Sequence, residues 1–406
     1  MKMSALLRAS PAMPVTPRLR STEWDECTPA MGRRPSTRFS AVLCAGIVLI
    51  ATATALAQSR YQQTNLVSDL PGLAAATDPN LVNPWGLSLS TTSPWWVSDN
   101  GTGLSTLYNG AGATQSLVVT VPPAAGQSGP ATPTGTVFNG TSDFNVGPSQ
   151  PARFLFATED GTISGWNPAA NATSAILMVD NSGHAVYKGL ALAQDNGANY
   201  LYAANFFTGT IDVFDKNFAP VTLSSTAFRN PWLPRGYAPF NVQAIGAKLY
   251  VTYAKPDAQK HDEVDGAGRG FVAAFTPHGK FVQILEWGPW LNAPWGIALA
   301  PATFGRFSGK LLVGQFGSGR IAVFEPGSGF FRGFLRTPKH GVLEIDGLWA
   351  LTFGNGGGAG PIDTLYFTAG IDDEAHGLFG TITPVQDTGK NHDKNDNDDD
   401  DDDDNY

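Results

Sequence analysis

The chain is poor in cysteine, with only Cys27 and Cys44 among its 406 residues. Both lie within or before a segment, residues 33–57, that has the composition of a secretory signal. We expect cleavage after Ala57, and the remaining chain would contain no cysteine. That excludes disulfides, thiolate zinc sites and a cysteine nucleophile from the mature protein.

The signal interpretation depends on three parts in the expected order: Arg33, Arg34 and Arg38, then an apolar stretch at 41–50, then Ala55-Leu56-Ala57. The alternative is an uncleaved membrane anchor, but the apolar stretch is short and diluted by threonine. We therefore predict a leader over residues 1–57, with Met31 as an alternative start. The product would be exported to the periplasm or beyond, with no stable membrane anchor.

Charge is also scarce, at 15% of residues, and it is unevenly placed. The leader is basic, and residues 391–406 contain nine aspartates and one lysine, so the body between them is only mildly acidic. A body without a basic stripe argues against nucleic-acid binding. The tail, residues 388–406, cannot bury apolar surface and is predicted to be disordered.

Signatures of catalysis are missing as well. The chain has no Gly-x-Ser-x-Gly element for a serine nucleophile and no His-Glu-x-x-His element for zinc. The glycine run "GNGGGAG" from Gly354 lacks the Lys-Ser/Thr of a phosphate-binding loop. These absences favour binding over catalysis.

The sequence does contain an internal repeat. "NPWGLSLS" begins at Asn83 and "NAPWGIALA" begins at Asn292, and from such points the chain divides into six units of roughly fifty residues. Each unit has short Val-, Phe- and Tyr-rich runs separated by Gly, Pro and Asn, which predicts strands and turns. We therefore predict an all-β, six-bladed propeller of four-stranded blades over residues 58–387, closed by a strand near Tyr61.

Stretches such as "TEDGTISGWNP", "YAANFFTGTIDVFD" and "LLVGQFGSGRIAVF" carry a family resemblance. Over about Tyr61 to Val385 the chain resembles an uncharacterised family of exported bacterial proteins. More distantly it resembles NHL-repeat propellers and gluconolactonase-like six-bladed hydrolases. The hydrolases hold a divalent cation in the channel through a glutamate, asparagines and an aspartate, which do not align here residue by residue. The resemblance implies fold and export and no particular activity.

The geometry of a propeller predicts which residues could form a site. Loops between second and third strands gather on one face of such a fold, together with the entries to the innermost strands. Oxygen ligands in these loops suit calcium or magnesium: Glu159, Asp160, Asn205, Asp372 and Asp373. Candidate ligand-binding residues are Asn83, Trp85, Asn241, Trp295 and Trp349. The alternatives are ordinary turn chemistry for the polar residues and wedging between blades for the tryptophans.

One loop stands apart. Residues 255–270 interrupt the fourth unit where the other units turn within a few residues, and they carry His261 together with Asp262, Glu263 and Asp265. Long loops in compact domains are usually functional or disordered. We expect this loop to lie over the channel mouth and His261 to contribute to a site there, the alternative being a surface flap.

Three functional classes remain open. The first is a monomeric binding or scaffold module for a small molecule, glycan or protein. The second is a divalent-metal-dependent lactone or ester hydrolase, and the third is a quinone-dependent sugar oxidoreductase. The fold hosts all three, so architecture does not choose among them. We rank binding first and the hydrolase second, because no catalytic signature is present.

Overall fold

The computed structural model describes residues 60–385, which contain 24 strands arranged in six β-sheets. The predicted leader and the predicted Asp-rich tail lie outside the described residues. Within 60–385, no helix is long and apolar enough to cross a membrane. The one helical element we name is a 3-10 turn, Gly305–Phe307.

Each sheet is one blade of a propeller, and the strands follow one another in chain order. The chain begins with β1 (Arg60–Ser68) and β2 (Ala76–Thr77). Blade 1 contains β3 (Pro84–Ser88), β4 (Trp95–Asp99), β5 (Leu104–Tyr108) and β6 (Val119–Thr120). Blade 2 contains β7 (Pro133–Phe138), β8 (Phe154–Thr158), β9 (Thr162–Trp166) and β10 (Ile176–Asp180). Blade 3 contains β11 (Tyr187–Asp195), β12 (Ala198–Asn205) and β13 (Thr210–Phe214).

The second half repeats the plan. Blade 4 contains β14 (Ala238–Ile245), β15 (Lys248–Ala254), β16 (Phe271–Phe275) and β17 (Phe281–Ile284). Blade 5 contains β18 (Pro294–Leu299), β19 (Leu311–Gln315), β20 (Ile321–Phe324) and β21 (Phe331–Phe334). Blade 6 contains β22 (Leu348–Phe353), β23 (Leu365–Ile371) and β24 (His376–Val385).

The ring is closed by pairing the beginning of the described chain with its end. β1 runs antiparallel to β24, so that Arg60 lies opposite Val385, and β2 pairs in parallel with β1. Blade 6 therefore takes its fourth strand from the N-terminal side, as the sequence near Tyr61 predicts. Closure of this kind leaves no long exposed edge for aggregation.

The predicted six-bladed propeller of four-stranded blades is confirmed, with two local departures: β2 adds a short fifth strand to the sheet of blade 6, and blade 3 has three strands. The following segment contains Pro220, Pro231 and Pro234, and proline has no backbone N–H for a sheet ladder. The Val221 N–H donates to the Val213 carbonyl at 2.8 Å, and regular pairing goes no further.

Most inner and middle strands are buried on both faces. β3, β4, β8, β9, β16 and β19 contain only buried residues. Because each blade packs between two neighbouring blades, the sequences of its strands are predominantly apolar rather than alternating between apolar and polar residues. The core is accordingly divided into clusters between adjacent blades.

Candidate functional site

The first strand of every blade has a β-bulge at the same point. The ladder to the second strand breaks between Pro84 and Leu87 in blade 1, and it breaks at the matching step in the other five blades. A bulge re-aims the side chain that it releases from the ladder. The released residues, here called the axial ring, are Trp85, Thr134, Lys188, Phe240, Trp295 and Trp349.

The aromatic members of the axial ring fill the channel. Trp85 stacks on Trp349 with ring centroids 3.6 Å apart, and it meets Phe240 of the opposite blade at 6.5 Å. Trp295 packs edge-on against both indoles, at 6.1 and 5.9 Å. All of these rings are buried. The channel is therefore closed by an aromatic plug, and a ligand would approach it from a mouth rather than thread through it.

The residue after the ring position explains the repeated Pro-Trp-Gly. A Cβ on Gly86 would lie 2.4 Å from the Thr134 carbonyl oxygen, and one on Gly296 would lie 2.4 Å from the Trp349 carbonyl oxygen. Real side chains essentially never tolerate such contacts. Glycine therefore lets neighbouring first strands approach each other, while tryptophan fills the axis between them.

Above the plug, polar side chains from several blades form one network, here called the mouth network: Asn83, Asn100, Glu159, Lys188, Asp262 and Glu374. The Lys188 ammonium bonds to Glu159 Oε1 and lies 3.3 Å from Asp262 Oδ1. Asn100 Nδ2 donates to the other Glu159 oxygen at 2.8 Å.

Lys188 is the only buried lysine among residues 60–385. Its Nζ lies 4.9 Å from the Trp85 ring centroid, so the cation also rests on the aromatic plug. Burial acts to lower the pKa of Lys188, but the carboxylates of Glu159, Glu263 and Asp262 outweigh it and raise that pKa above its usual value. Lys188 is therefore a charged structural centre rather than an amine nucleophile.

The predicted flap, residues 255–270, lies over this mouth. It brings Asp262 to Lys188 of blade 3, and the Gly266 N–H donates to the Asn292 side chain beside blade 5. Within the flap, Asp257 N–H donates to the Asp262 carbonyl at 2.8 Å. The flap is thus attached to the blades on both sides of its own.

His261 and Asp262 form a pair at the flap tip. His261 Nδ1 and Asp262 Oδ1 are 2.8 Å apart, and both side chains are largely exposed. The shared hydrogen bond raises the pKa of His261 and lowers the pKa of Asp262 to about 2. Both groups therefore favour their charged forms.

Glu374 enters the mouth from blade 6 through an unusual turn. Asp372, Asp373 and Glu374 all have positive φ, at 54°, 52° and 66°, a region that residues other than glycine rarely adopt. The turn leaves Asp372 and Asp373 exposed and directs Glu374 Oε2 onto Asn83 Nδ2, at 2.6 Å. Asn83 in turn accepts from Trp349 Nε1 at 3.1 Å, which links the network to the plug.

Two carboxyl groups of the mouth have unfavourable surroundings for a negative charge. Burial raises the pKa of Glu263 to about 8; Lys188 opposes this shift, and the carboxylates of Glu374 and Asp262 add to it. Burial also raises the pKa of Glu374, against the hydrogen bond from Asn83. The mouth has more carboxylates than the single Lys188 ammonium can neutralise.

The structure brings some of the candidate residues together. Asn83 and Glu159 belong to the mouth network, and His261 lies beside it. Trp85, Trp295 and Trp349 form the plug beneath it, buried and without an open face. Asn241 is also buried in the channel, where its Nδ2 donates to the Trp295 carbonyl at 2.9 Å.

Other candidates have local structural partners instead. Asp160 Oδ2 accepts from the Thr132 N–H at 3.0 Å, and Asn205 Nδ2 donates to Asp212 at 2.9 Å. Asp372 and Asp373 are exposed at the turn. These four residues occupy the expected loops, but they do not meet Glu159 in one cluster.

Four network members, Asn100, Lys188, Asp262 and Glu374, were not among the candidates, although Asp262 belongs to the predicted flap. Lys188 in "YKGLALA" aligns with Trp85 in "PWGLSLS", so the repeat itself places it at the axis. Glu374 follows two other acidic residues, and only the left-handed turn decides which of the three faces inward. The position of Lys188 could therefore be predicted from the repeat in the sequence, whereas the position of Glu374 could not.

A divalent cation between Glu159 and Asp262 does not fit these residues. Ligand atoms of Glu159, His261 and Asp262 do lie within 4.8 Å of one another. The Lys188 ammonium, however, already bonds to both carboxylates and supplies the positive charge there. A metal ion at the same point would be repelled at contact distance.

The chain belongs to a family of uncharacterised proteins that includes proteins L690 and R648 of Acanthamoeba polyphaga mimivirus. It is 32% identical to L690, covering 81% of this chain and 87% of that one. It is 33% identical to R648, covering 79% and 80%. These relatives are viral, whereas the resemblance pointed to bacterial proteins. No protein-family model matches the chain.

Solved structures share the fold at low identity. A protein of unknown function from Bacteroides thetaiotaomicron aligns with a TM-score of 0.51 at 10% identity, over 80% of this chain and 76% of that one. A streptogramin B lyase aligns at 0.46 and 12% identity, over 80% and 98%. Likeness at this level concerns the fold and carries no chemistry.

Proposed function

We propose that this protein is a binding module that holds a small, positively charged organic ligand at the mouth of its closed channel. The observation that carries the proposal is the convergence of Glu159, Asp262, Glu263 and Glu374 on one buried lysine. A cationic ligand would neutralise the excess carboxylates, which the aromatic plug and burial make costly to leave ionised.

Aromatic side chains on the same loops support an organic cation. Phe207 is partly exposed after blade 3's second strand, and the Lys260 ammonium already lies 5.7 Å from its ring centroid. Phe316, in the matching loop of blade 5, stacks on Trp349 at 4.1 Å. Ammonium groups bind well where carboxylates and aromatic faces meet.

The test is calorimetric titration with 1,4-diaminobutane and tetramethylammonium chlorides, using calcium chloride and a neutral sugar as comparison probes. We expect the amines to bind, and Glu263→Gln and Glu374→Gln each to weaken binding by about tenfold. The matched control is Glu344→Gln, which removes an exposed carboxylate paired with Arg320. Equal binding by all variants, or binding of the sugar alone, would refute the proposal.

The hydrolase remains the second candidate because Glu159, His261 and Asp262 could supply three ligand atoms. It requires Lys188 to leave its carboxylate partners. Calcium binding that is strengthened by Lys188→Met, together with calcium-dependent hydrolysis of a simple lactone, would favour the hydrolase over the binding module.

Export is also part of the proposal, supported by the signal-like segment before Gln58. Mass spectrometry of the mature protein should give an N-terminus at Gln58. A mature chain that still begins at Met1 or Met31 would contradict export by this route.

A further inference from the structure

A strongly basic cleft lies at the outer rim between blades 5 and 6, away from the mouth. Four arginines line it, with Tyr61, Gly333 and three phenylalanines: Arg60, Arg306, Arg332, Arg336, Phe307, Phe331 and Phe334. We call it the arginine cleft. Its volume is about 330 Å³, and none of the residues 60–385 that line it is acidic. Nothing in the mouth network uses these residues.

The arginines come from three separate elements that the closure of the ring brings together. Arg306 lies in the 3-10 turn, Arg332 lies in β21, and Arg336 follows that strand. The Tyr61 N–H donates to the Arg336 carbonyl at 2.9 Å, which joins β1 to the rim of blade 5. The cleft is therefore a product of tertiary structure and has no motif in the sequence.

Three of the arginines, Arg306, Arg332 and Arg336, are exposed and have only local contacts among the described residues. Arg306 lies over the Phe307 ring at 5.3 Å, and Arg336 donates to the His340 carbonyl at 2.8 Å. Arg332 has a long contact to Glu325, at 3.6 Å, and Glu325 is already bonded to Lys310 at 2.9 Å. These guanidinium groups can therefore each bind a carboxylate through two parallel hydrogen bonds.

The chain itself supplies a matching polyanion. Residues 393–404 contain nine aspartates and one lysine. The strand that leads to them ends at Val385, directly opposite Arg60 in the β1–β24 ladder. Seven residues lie between Val385 and Asp393 in the sequence, so eight Cα-to-Cα steps join the two. Fully extended, they span roughly 27 Å, so the tail can reach the whole cleft.

We propose that the Asp-rich segment 393–404 binds in the arginine cleft of its own chain and competes there with acidic partners. Carboxylates held on a short tether have a high effective concentration at the cleft, so weak individual ion pairs suffice. Such contacts are screened by salt, because the arginines are exposed and the Debye length is about 10 Å at 0.1 M.

The test attaches a fluorophore to Tyr406→Cys in the full chain, with Cys27 and Cys44 replaced by serine. Its anisotropy reports the freedom of the tail. We expect high anisotropy at about 10 mM salt and a clear fall at about 500 mM, where screening is strong. The fall should be independent of protein concentration, because the contact lies within one chain.

The decisive variant is Arg306→Gln/Arg332→Gln/Arg336→Gln, which should lose most of the salt-dependent fall. Its matched control is Arg153→Gln/Arg229→Gln/Arg235→Gln, three exposed arginines outside the cleft with the same change in net charge. The thermal unfolding of both variants is compared first. If the cleft variant unfolds, changing the tail aspartates to asparagine in the unaltered body replaces it and should likewise remove the fall.

Three outcomes would overturn the proposal. An equal loss in both arginine variants would show general attraction by net charge. Anisotropy that falls on dilution would show that a second copy's tail occupies the cleft. Low anisotropy at all salt concentrations would show that the tail does not bind.

Discussion

Blades 1 and 3 place different residues at the same point of the same repeat. Trp85 and Lys188 both leave the ladder at a bulge, both point to the axis and both precede a glycine. Trp85 stacks on Trp349 and closes the channel, whereas Lys188 binds Glu159 and Asp262 above it. The backbone supplies the position, and the side chain decides between packing and a polar site.

The contribution of the aromatic plug to stability is tested by Trp349→Ala, for which we expect the largest effect. The indole is fully buried and stacks on both Trp85 and Phe316, so its removal leaves a large cavity at the axis. We expect a loss of about 4 kcal/mol in the free energy of unfolding, measured by denaturant titration. Trp232→Ala, at an indole 63% exposed, is the control and should change little. Similar losses for both would mean that the plug does not support the ring.

The contribution of the Lys188–Glu159 pair to stability is tested by Glu159→Gln. This change leaves the buried Lys188 with only the exposed Asp262 as a bonded carboxylate, so we expect a loss of about 3 kcal/mol. Lys188→Met should cost less, and the double variant should recover part of the loss, because each single variant leaves one buried charge without its partner and the double variant leaves none. Simple additivity in this double-mutant cycle would deny coupling between the two residues.

The shared backbone geometry is tested by Gly86→Ala. The new methyl group would lie 2.4 Å from the Thr134 carbonyl oxygen and would push blades 1 and 2 apart. We expect about 2 kcal/mol of destabilisation in denaturant titrations. Gly327→Ala is the control, since nothing lies within 4 Å of its Cβ. A neutral Gly86→Ala variant would show that the first strands do not need this approach.

The smallest expected effect concerns pH and the flap. The pKa of Glu263 is raised to about 8, so the folded state binds its proton more tightly than the unfolded chain does. Its contribution to stability is complete below about pH 4 and is lost as the pH rises to about 8. Glu263→Gln should therefore flatten the fall in melting temperature between about pH 5 and about pH 8.5. If the melting temperature of the variant falls with pH as much as that of the unaltered protein, the pKa of Glu263 is not raised in the folded state.

Much of the fold could be predicted because its signals are local and repeated. Pro-Trp-Gly marks a bulge and a close approach in blades 1 and 5, and short apolar runs between turn residues mark the strands. Blade 3 departs at its outer strand, where prolines after Phe214 prevent regular pairing. The site was less predictable: Glu159 and Asn83 reach the mouth, whereas Asp160 accepts a hydrogen bond from Thr132 and Asn205 donates one to Asp212.

The sequence by itself determined the all-β repeat, the six blades and the position of the long loop in the fourth blade. These follow from backbone preferences and from periodic burial, which act over a few neighbouring residues. Only the tertiary structure decided that Lys188 meets Glu159 and Asp262, that Glu374 rather than Asp372 faces inward, and that arginines from three elements share one cleft. Such contacts join residues far apart in the chain, and ring closure sets their distances.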